Sequence, residues 1–248
     1  MPHPLPLDLN CDLGEGEPAA TTAACLVSLD SINIACGGHA GTEDSMRFCL
    51  AQAQSLGVHA GAHPGIPDRT RFGRATDHIP TPAELAEWIV SQVERLHALA
   101  RAAEVPLHHI KLHGALYHLT DTHPDLAATY LQTVARRWPH CLVYARAGGL
   151  VAGLAPSYGL TAWPEAFLDR GYRPDGSLVP RDQPNALLTD PRRLVARLNT
   201  LQLRGGWEDC HGAFLPLAPR TLCLHGDSPD AAALLAAART ALGPRSAH

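Results

Sequence analysis

The sequence predicts an α/β protein, a single-domain irregular seven-stranded (β/α) barrel occupying residues 1–248. Three observations carry this expectation. Short apolar runs alternate with longer segments of helical period, the pattern of strand-helix units around a parallel sheet. No shift in composition divides the chain. Five strand-like runs also end in a histidine or carboxylate and then meet glycine or another small residue: LDLNCDLGEG from Leu7, INIACGGHAG from Ile32, VHAGAHPG from Val58, HIKLHGA from His109 and LCLHGDSP from Leu222. In a parallel barrel such run-ends converge on one mouth, where side chains distant in sequence meet. A doubly wound open sheet is the structural alternative. With neither G-x-G-x-x-G after the first strand nor G-x-x-x-x-G-K-[ST] in the chain, the usual dinucleotide and P-loop phosphate sites are unsupported.

Strands are expected over residues 5–11, 32–36, 58–62, 109–112, 141–145, 160–163 and 221–224. Helices are best marked where caps are visible. Thr81, with Pro82 at the first helical position, opens 83–103; Asp121 or Thr122 precedes 124–138; Ser228 with Pro229 opens 230–242. Between 166 and 189 no period survives and Pro and Gly recur, which predicts a long loop of the kind that serves as a lid.

Composition narrows the function classes. A formal charge of −4 and no cluster of basic residues interleaved with aromatics argue against nucleic acid as a partner. The start, MPHPLPLDLN, lacks a secretory signal, and no apolar run reaches the ~20 residues needed to span a bilayer, so a cytoplasmic protein without a membrane partner is expected. Seven cysteines without a C-x-x-C pair speak against a structural zinc site.

Within the first run, alternation puts Asp8, Asn10 and Asp12 on one face and Leu7, Leu9 and Cys11 on the other. A carboxylate facing a barrel interior needs a cation, a metal or a polar ligand. Asp12 is the candidate for chemistry, Asp8 suits hydrogen bonds at the barrel floor, and Glu15 follows on the next loop. His39, His63, His113 and His225 sit at run-ends, where an imidazole can ligate a metal or move a proton. Nineteen of the 20 basic residues are arginine; Lys111 alone is lysine, on the same strand face as His113. An inward lysine can offset an oxyanion or a transferring phosphoryl group, and burial is expected to lower its pKa toward that of a usable base. The plainer role is an ion pair with Asp12 or Asp227. Asp227 itself either caps the last helix or contacts substrate. Arg69 and Arg74 lie in the densest basic patch, suited to a carboxylate or phosphate, and Glu165, Asp169, Arg170 and Arg181 lie on or near the expected lid.

Together DLNCDLGEG, NIACGGHAG, GAHPGIPDR with FGR, KLHGALY, EAFLDRGY with DG, LVPR and LCLHGDSP resemble the LamB/YcsF family, the A subunit of bacterial 5-oxoprolinase, from about Leu7 to about Ala238. The resemblance implies a barrel of the glycoside hydrolase/deacetylase type. It also implies ATP-dependent hydrolytic opening of 5-oxo-L-proline to L-glutamate, with subunits B and C as partners and Mg accompanying the nucleotide. The chain departs from the family at Gly38, Leu112 and His118, where an aromatic, Pro and Asn are usual, and 203–220 follows no family pattern.

In this reading Asp12 or His39 activates water, Lys111 with His113 offsets charge, and Asn10, Glu15, His63, Arg69, Arg74, Glu165, Arg170 and Asp227 contact substrate. Two alternatives keep the barrel. Asp12, His39 and His63 hold a divalent metal for deacetylase-like amide hydrolysis, or the chain binds 5-oxoproline without catalysis and presents it to its partners.

Overall fold

The protein is described by a computed structural model covering residues 7–226 and 230–245. In chain order its strands are β1 (Asp8–Leu13), β2 (Ser31–Ala35), β3 (His59–His63), β4 (Leu107–Lys111), β5 (Leu142–Arg146), β6 (Ala162–Phe167), β7 (Gly206–Glu208), β8 (Phe214–Pro216) and β9 (Thr221–Cys223). Seven of them close a parallel barrel in the order β1-β2-β3-β4-β5-β6-β9, which excludes the open sheet. These are the seven strands the alternation pattern marks. The exceptions to the expected layout are that β6 runs on into the expected lid segment, and that β7 and β8 form an antiparallel hairpin inside the patternless 203–220 stretch.

Around the barrel lie α1 (Ala19–Leu26), α2 (Glu43–Leu56), α3 (Pro82–Ala102), α4 (Gly114–Thr122), α5 (Pro124–Arg137), α6 (Leu150–Leu154), α7 (Pro191–Arg204) and α8 (Ala231–Leu242). Thr81 caps α3 as expected, its side chain accepting from the Glu84 backbone while Glu84 reaches back. Asp121 and Thr122 instead fall inside α4, and His123 stands ahead of Pro124 at the start of α5. The Ser228 and Pro229 cap lies outside the described residues, as does Asp227. No helix among the described residues is long and apolar enough to cross a membrane.

The strand pleat separates two environments. Leu9, Cys11, Ile32, Ile34, Ile110, Val143, Ala166 and Leu222 are fully buried between barrel and helices, each large aliphatic among them contributing roughly 1.5–3 kcal/mol. The inward face is polar. At the floor Asp8 accepts from Ser31 (2.9 Å), Thr221 and Tyr144, as its sequence position suggests. Burial pushes the Asp8 carboxyl up to about 7, against the bonds from Thr221 and Ser31.

One layer higher, Asn10 donates to Glu165 (3.0 Å) and Thr221 (2.6 Å), Asn33 donates to Asn10 (2.8 Å) and Asp12 (2.7 Å), and His109 Nε2 donates to Asn33 (2.7 Å). Because Glu165 and Asp12 bracket this chain as acceptors, they fix the direction of both amides and hence the tautomer of His109. Gly61 on β3 leaves the space that the His109 ring fills: a Cβ there would lie 2.1 Å from Nε2.

Candidate active site at the barrel mouth

Above the polar layers, the C-terminal ends of β1, β3 and β4 bring Asp12, His63 and Lys111 together. Lys111 Nζ is 2.9 Å from Asp12 Oδ1, 3.1 Å from Glu165 Oε1 and 3.1 Å from Cys223 Sγ, with its side chain 2% exposed. Burial alone would lower the Lys111 pKa; the Asp12 and Glu165 carboxylates outweigh it and hold the ammonium well above the usual lysine range. The expectation of a lowered, base-like lysine is thereby corrected. Two buried carboxylates demand a fixed cation, and Lys111 is that cation. Burial likewise works against ionisation of Asp12, but His63 and Lys111 prevail and keep its carboxyl well below the ordinary range.

The histidines form a second cluster. His63 Nδ1 donates to the Lys111 carbonyl (2.9 Å) and His113 Nε2 donates to the Phe72 carbonyl (2.9 Å). In the neutral rings this leaves lone pairs on His63 Nε2 and His113 Nδ1 facing each other at 3.0 Å. The contact becomes a hydrogen bond when one proton is added between them. Asp12 Oδ2, 3.3 Å from His63, and Glu15 Oε1, 3.3 Å from His113, flank the pair, and burial outweighs the Glu15 contact to push the His113 pKa down. Gly114, at φ +50°, turns the chain from His113 into α4, and its missing side chain lets the Gly73 carbonyl approach.

His39 lies behind this cluster. Its Nε2 is 2.9 Å from Glu15 Oε1, its Nδ1 is buried without a hydrogen-bond partner, and its ring stacks on His113 at 3.6 Å. Burial pushes the His39 pKa down to about 4, against the bond to Glu15. Burial also opposes ionisation of Glu15, but its bonds to His113 and His39 hold its carboxyl far below the ordinary range.

A cavity of about 420 Å³ opens over these groups. Of the residues expected in the site, Asp12, Glu15, His63, Arg74, Lys111, His113 and Arg170 line it. Asn10 and Glu165 lie below as second partners of the network. His39 faces a neighbouring cavity of about 630 Å³ instead, across Glu15. Arg69 also lines that neighbour, its guanidinium engaged by the Gly37 and Gly41 carbonyls.

The irregular chain 168–190 covers one side of the mouth, bringing Leu178, Val179, Pro180 and Arg181. Arg170 ties it down through Ala186 (3.2 Å) and Val179 (2.7 Å). Tyr117, His118 and Phe167 complete the wall; sequence reasoning assigns none of the three a site role, His118 standing out only as a departure from the family pattern. His225 lines it too, held by Asp169, although only its run-end position is visible in the sequence.

As to a metal, the expected set Asp12, His39 and His63 is not the one that converges. Glu15, His39, His63 and His113 offer donor atoms within 4.8 Å of one another, close enough for a metal ion. The parallel stacking of His39 on His113, 3° between planes, points their lone pairs side by side, which disfavours all four on one tetrahedral ion. Beside Asp12, the place a cation would take is already filled by the Lys111 ammonium.

The geometry has close counterparts. The A subunit of 5-oxoprolinase from Heliobacterium modesticaldum is 40% identical over 239 residues, spanning 95% of this chain and 94% of its own length. Its namesake from Bordetella pertussis is 39% identical over the same extent of both chains. Among solved structures, the lactam utilization protein from Thermus thermophilus matches with a TM-score of 0.87 and 32% identity over 96% of each chain. The LamB/YcsF family model matches residues 7–247, and with these relatives at hand the chain belongs to the LamB/YcsF family.

Proposed function

We propose that this chain is the A subunit of a 5-oxoprolinase, opening the ring of 5-oxo-L-proline to L-glutamate with ATP hydrolysis, together with B and C subunits. The relatives' names support the role. The observation that carries the reading is the mouth cavity, with the Asp12–Lys111 pair and two histidines at its floor and Arg74, Arg170 and Arg181 on its wall. A small cyclic amide bearing a carboxylate matches it: arginines suit the carboxylate, and a buried ammonium suits an oxygen that gains charge.

In this reading His63 accepts a proton from the attacking water, Asp12 steadies the resulting imidazolium, and Lys111 offsets charge on the former lactam oxygen. The Cys223 thiol is the weakest of the Lys111 partners and is the contact the substrate oxygen displaces. The base is thus His63 rather than His39, whose free nitrogen is buried away from the mouth. ATP supplies the drive by phosphorylating the lactam oxygen, which opens the ring carbon to water; C–N cleavage then leaves a γ-acyl phosphate whose phosphate is released by a second water, and Mg accompanies the nucleotide. The 168–189 segment acts as the lid.

The test is 5-oxoproline-dependent release of phosphate and glutamate by this chain alone, by the B and C partners alone, and by the mixture. Turnover only in the mixture is expected; no glutamate from any mixture containing confirmed active partners would overturn the assignment. The convergence of Glu15, His63 and His113 donor atoms favours one second reading, a metal-dependent amide hydrolase. Stoichiometric metal in the purified protein, with ATP-independent hydrolysis abolished by a chelator, would establish it.

A further inference from the structure

Ring opening needs two proton transfers on different atoms: one from the attacking water and one to the ring nitrogen as it leaves. The His63 side of the mouth supplies the first. On the far side of Lys111 stands a separate pair. Asp169, at the start of the irregular segment after β6, is buried, and its Oδ2 accepts from the His225 backbone at 3.1 Å. The same carboxylate receives His225 Nδ1 at 2.9 Å, with Oδ1 at 3.1 Å. A carboxylate is an acceptor only, so the Nδ1 proton is fixed there and the exchangeable position of the ring is Nε2.

The His225 ring is further held by stacking on Phe167, at 5.4 Å between centroids and 13° between planes. It is 15% exposed, lines the mouth cavity, and has a ring nitrogen within 4.8 Å of an Asp12 carboxylate oxygen and of Cys223 Sγ. An imidazole whose tautomer and plane are both fixed, beside the ammonium that faces the reacting oxygen, has the geometry of a proton donor.

We infer that His225, positioned by Asp169, is the general acid that protonates the ring nitrogen. The inference rests on the ring-opening reading above. As the C–N bond of the tetrahedral carbon breaks, its electron pair passes to nitrogen, and nitrogen takes the Nε2 proton of the His225 imidazolium. His225 is left neutral with Nδ1–H still on Asp169 and regains its proton from solvent. The oxygen added to carbon comes from the water deprotonated at His63, and the γ-acyl phosphate left by C–N cleavage gives up its phosphate to a second water, so that one ATP and two waters balance L-glutamate, ADP and phosphate.

The test uses the full chain assembled with its B and C partners, with His225→Ala and Asp169→Asn compared with wild type on two substrates. One is 5-oxoproline. The other is its lactone analogue, 5-oxotetrahydrofuran-2-carboxylate, whose alkoxide leaving group needs less help from an acid than an amide nitrogen does. For His225→Ala the expected result is a loss of about 100-fold or more in kcat on the lactam. The loss on the lactone is at least tenfold smaller, and added imidazole partly restores lactam turnover. Asp169→Asn lowers lactam kcat more than it raises KM, because the tautomer is lost while the cavity remains.

Lactam kcat within twofold of wild type in His225→Ala overturns the inference. So does a loss that is equal on both substrates and unmoved by imidazole, the signature of a merely structural residue. If wild type does not turn over the lactone, imidazole rescue decides alone. Absence of glutamate with the wild-type assembly would instead sink the ring-opening reading itself, which keeps the two failures distinguishable.

Discussion

Lys111 stands between two buried carboxylates, so its removal leaves Asp12 and Glu165 as uncompensated like charges in a dry interior. Breaking such a pair costs about 3–5 kcal/mol, and Lys111→Met is expected to lower the free energy of unfolding by that amount as well as to abolish turnover. Urea titration checks it; wild-type stability would show that the carboxylates share protons rather than relying on the ammonium. Asp8 behaves oppositely. Its pKa is raised from 3.8 to about 7 by burial, so its contribution to stability is fully present below pH 3.8 and is lost as pH rises toward 7. The loss runs at about 1.4 kcal/mol per pH unit while Asp8 is protonated only in the folded state. Asp8→Asn lacks this slope, so its melting temperature should gain on wild type between pH 5 and 7.5; parallel curves would contradict the burial argument.

Among the elements, β3 shows how closely the barrel interior is filled. A Cβ at Gly61 meets His109, which cannot retreat because Asn33 holds its Nε2 and Tyr144 stacks on it at 3.8 Å. Gly61→Ala should cost about 1–3 kcal/mol or more, partly recovered in the Gly61→Ala, His109→Ala double variant; an undisturbed midpoint in the single variant would contradict this packing. The 168–190 segment has no regular ladder and is held by arginines: Arg170 reaches Val179 and Ala186, and Arg197 reaches the Leu168 and Arg170 carbonyls. Charged hydrogen bonds are worth roughly 1.5–3 kcal/mol, so Arg197→Met should raise proteolytic cutting within 168–189 roughly tenfold or more. Unchanged cutting would show that the segment is held by other contacts.

These elements also show what a sequence can reveal. Asp12, His63, Lys111 and His113 are legible because each ends an apolar run, and a closed parallel barrel turns run-ends into one mouth. The β7–β8 hairpin is not, since three-residue strands are too short to display alternation. Glu165 reads as a lid residue until β6 is seen to continue through it. Asp169 gains meaning only from His225, 56 positions away, and no local pattern pairs them.

At the scale of the whole molecule, the barrel concentrates its charge in one connected network, from Asp8 at the floor through Asn10, Asn33 and His109 to Asp12 and Lys111 at the mouth. The outward strand faces carry the apolar burial that holds it in place. We propose that function resides at this mouth and that the chain assembles as a unit with B and C subunits. The most direct test of that assignment is single-turnover glutamate formation from 5-oxoproline and ATP by the assembled complex carrying Asp12→Asn. The substitution keeps the side-chain shape and leaves Lys111 paired with Glu165, so folding and assembly should survive. A loss of about 100-fold or more in the ring-opening step with the complex intact is predicted; a wild-type rate would place the chemistry outside this barrel mouth.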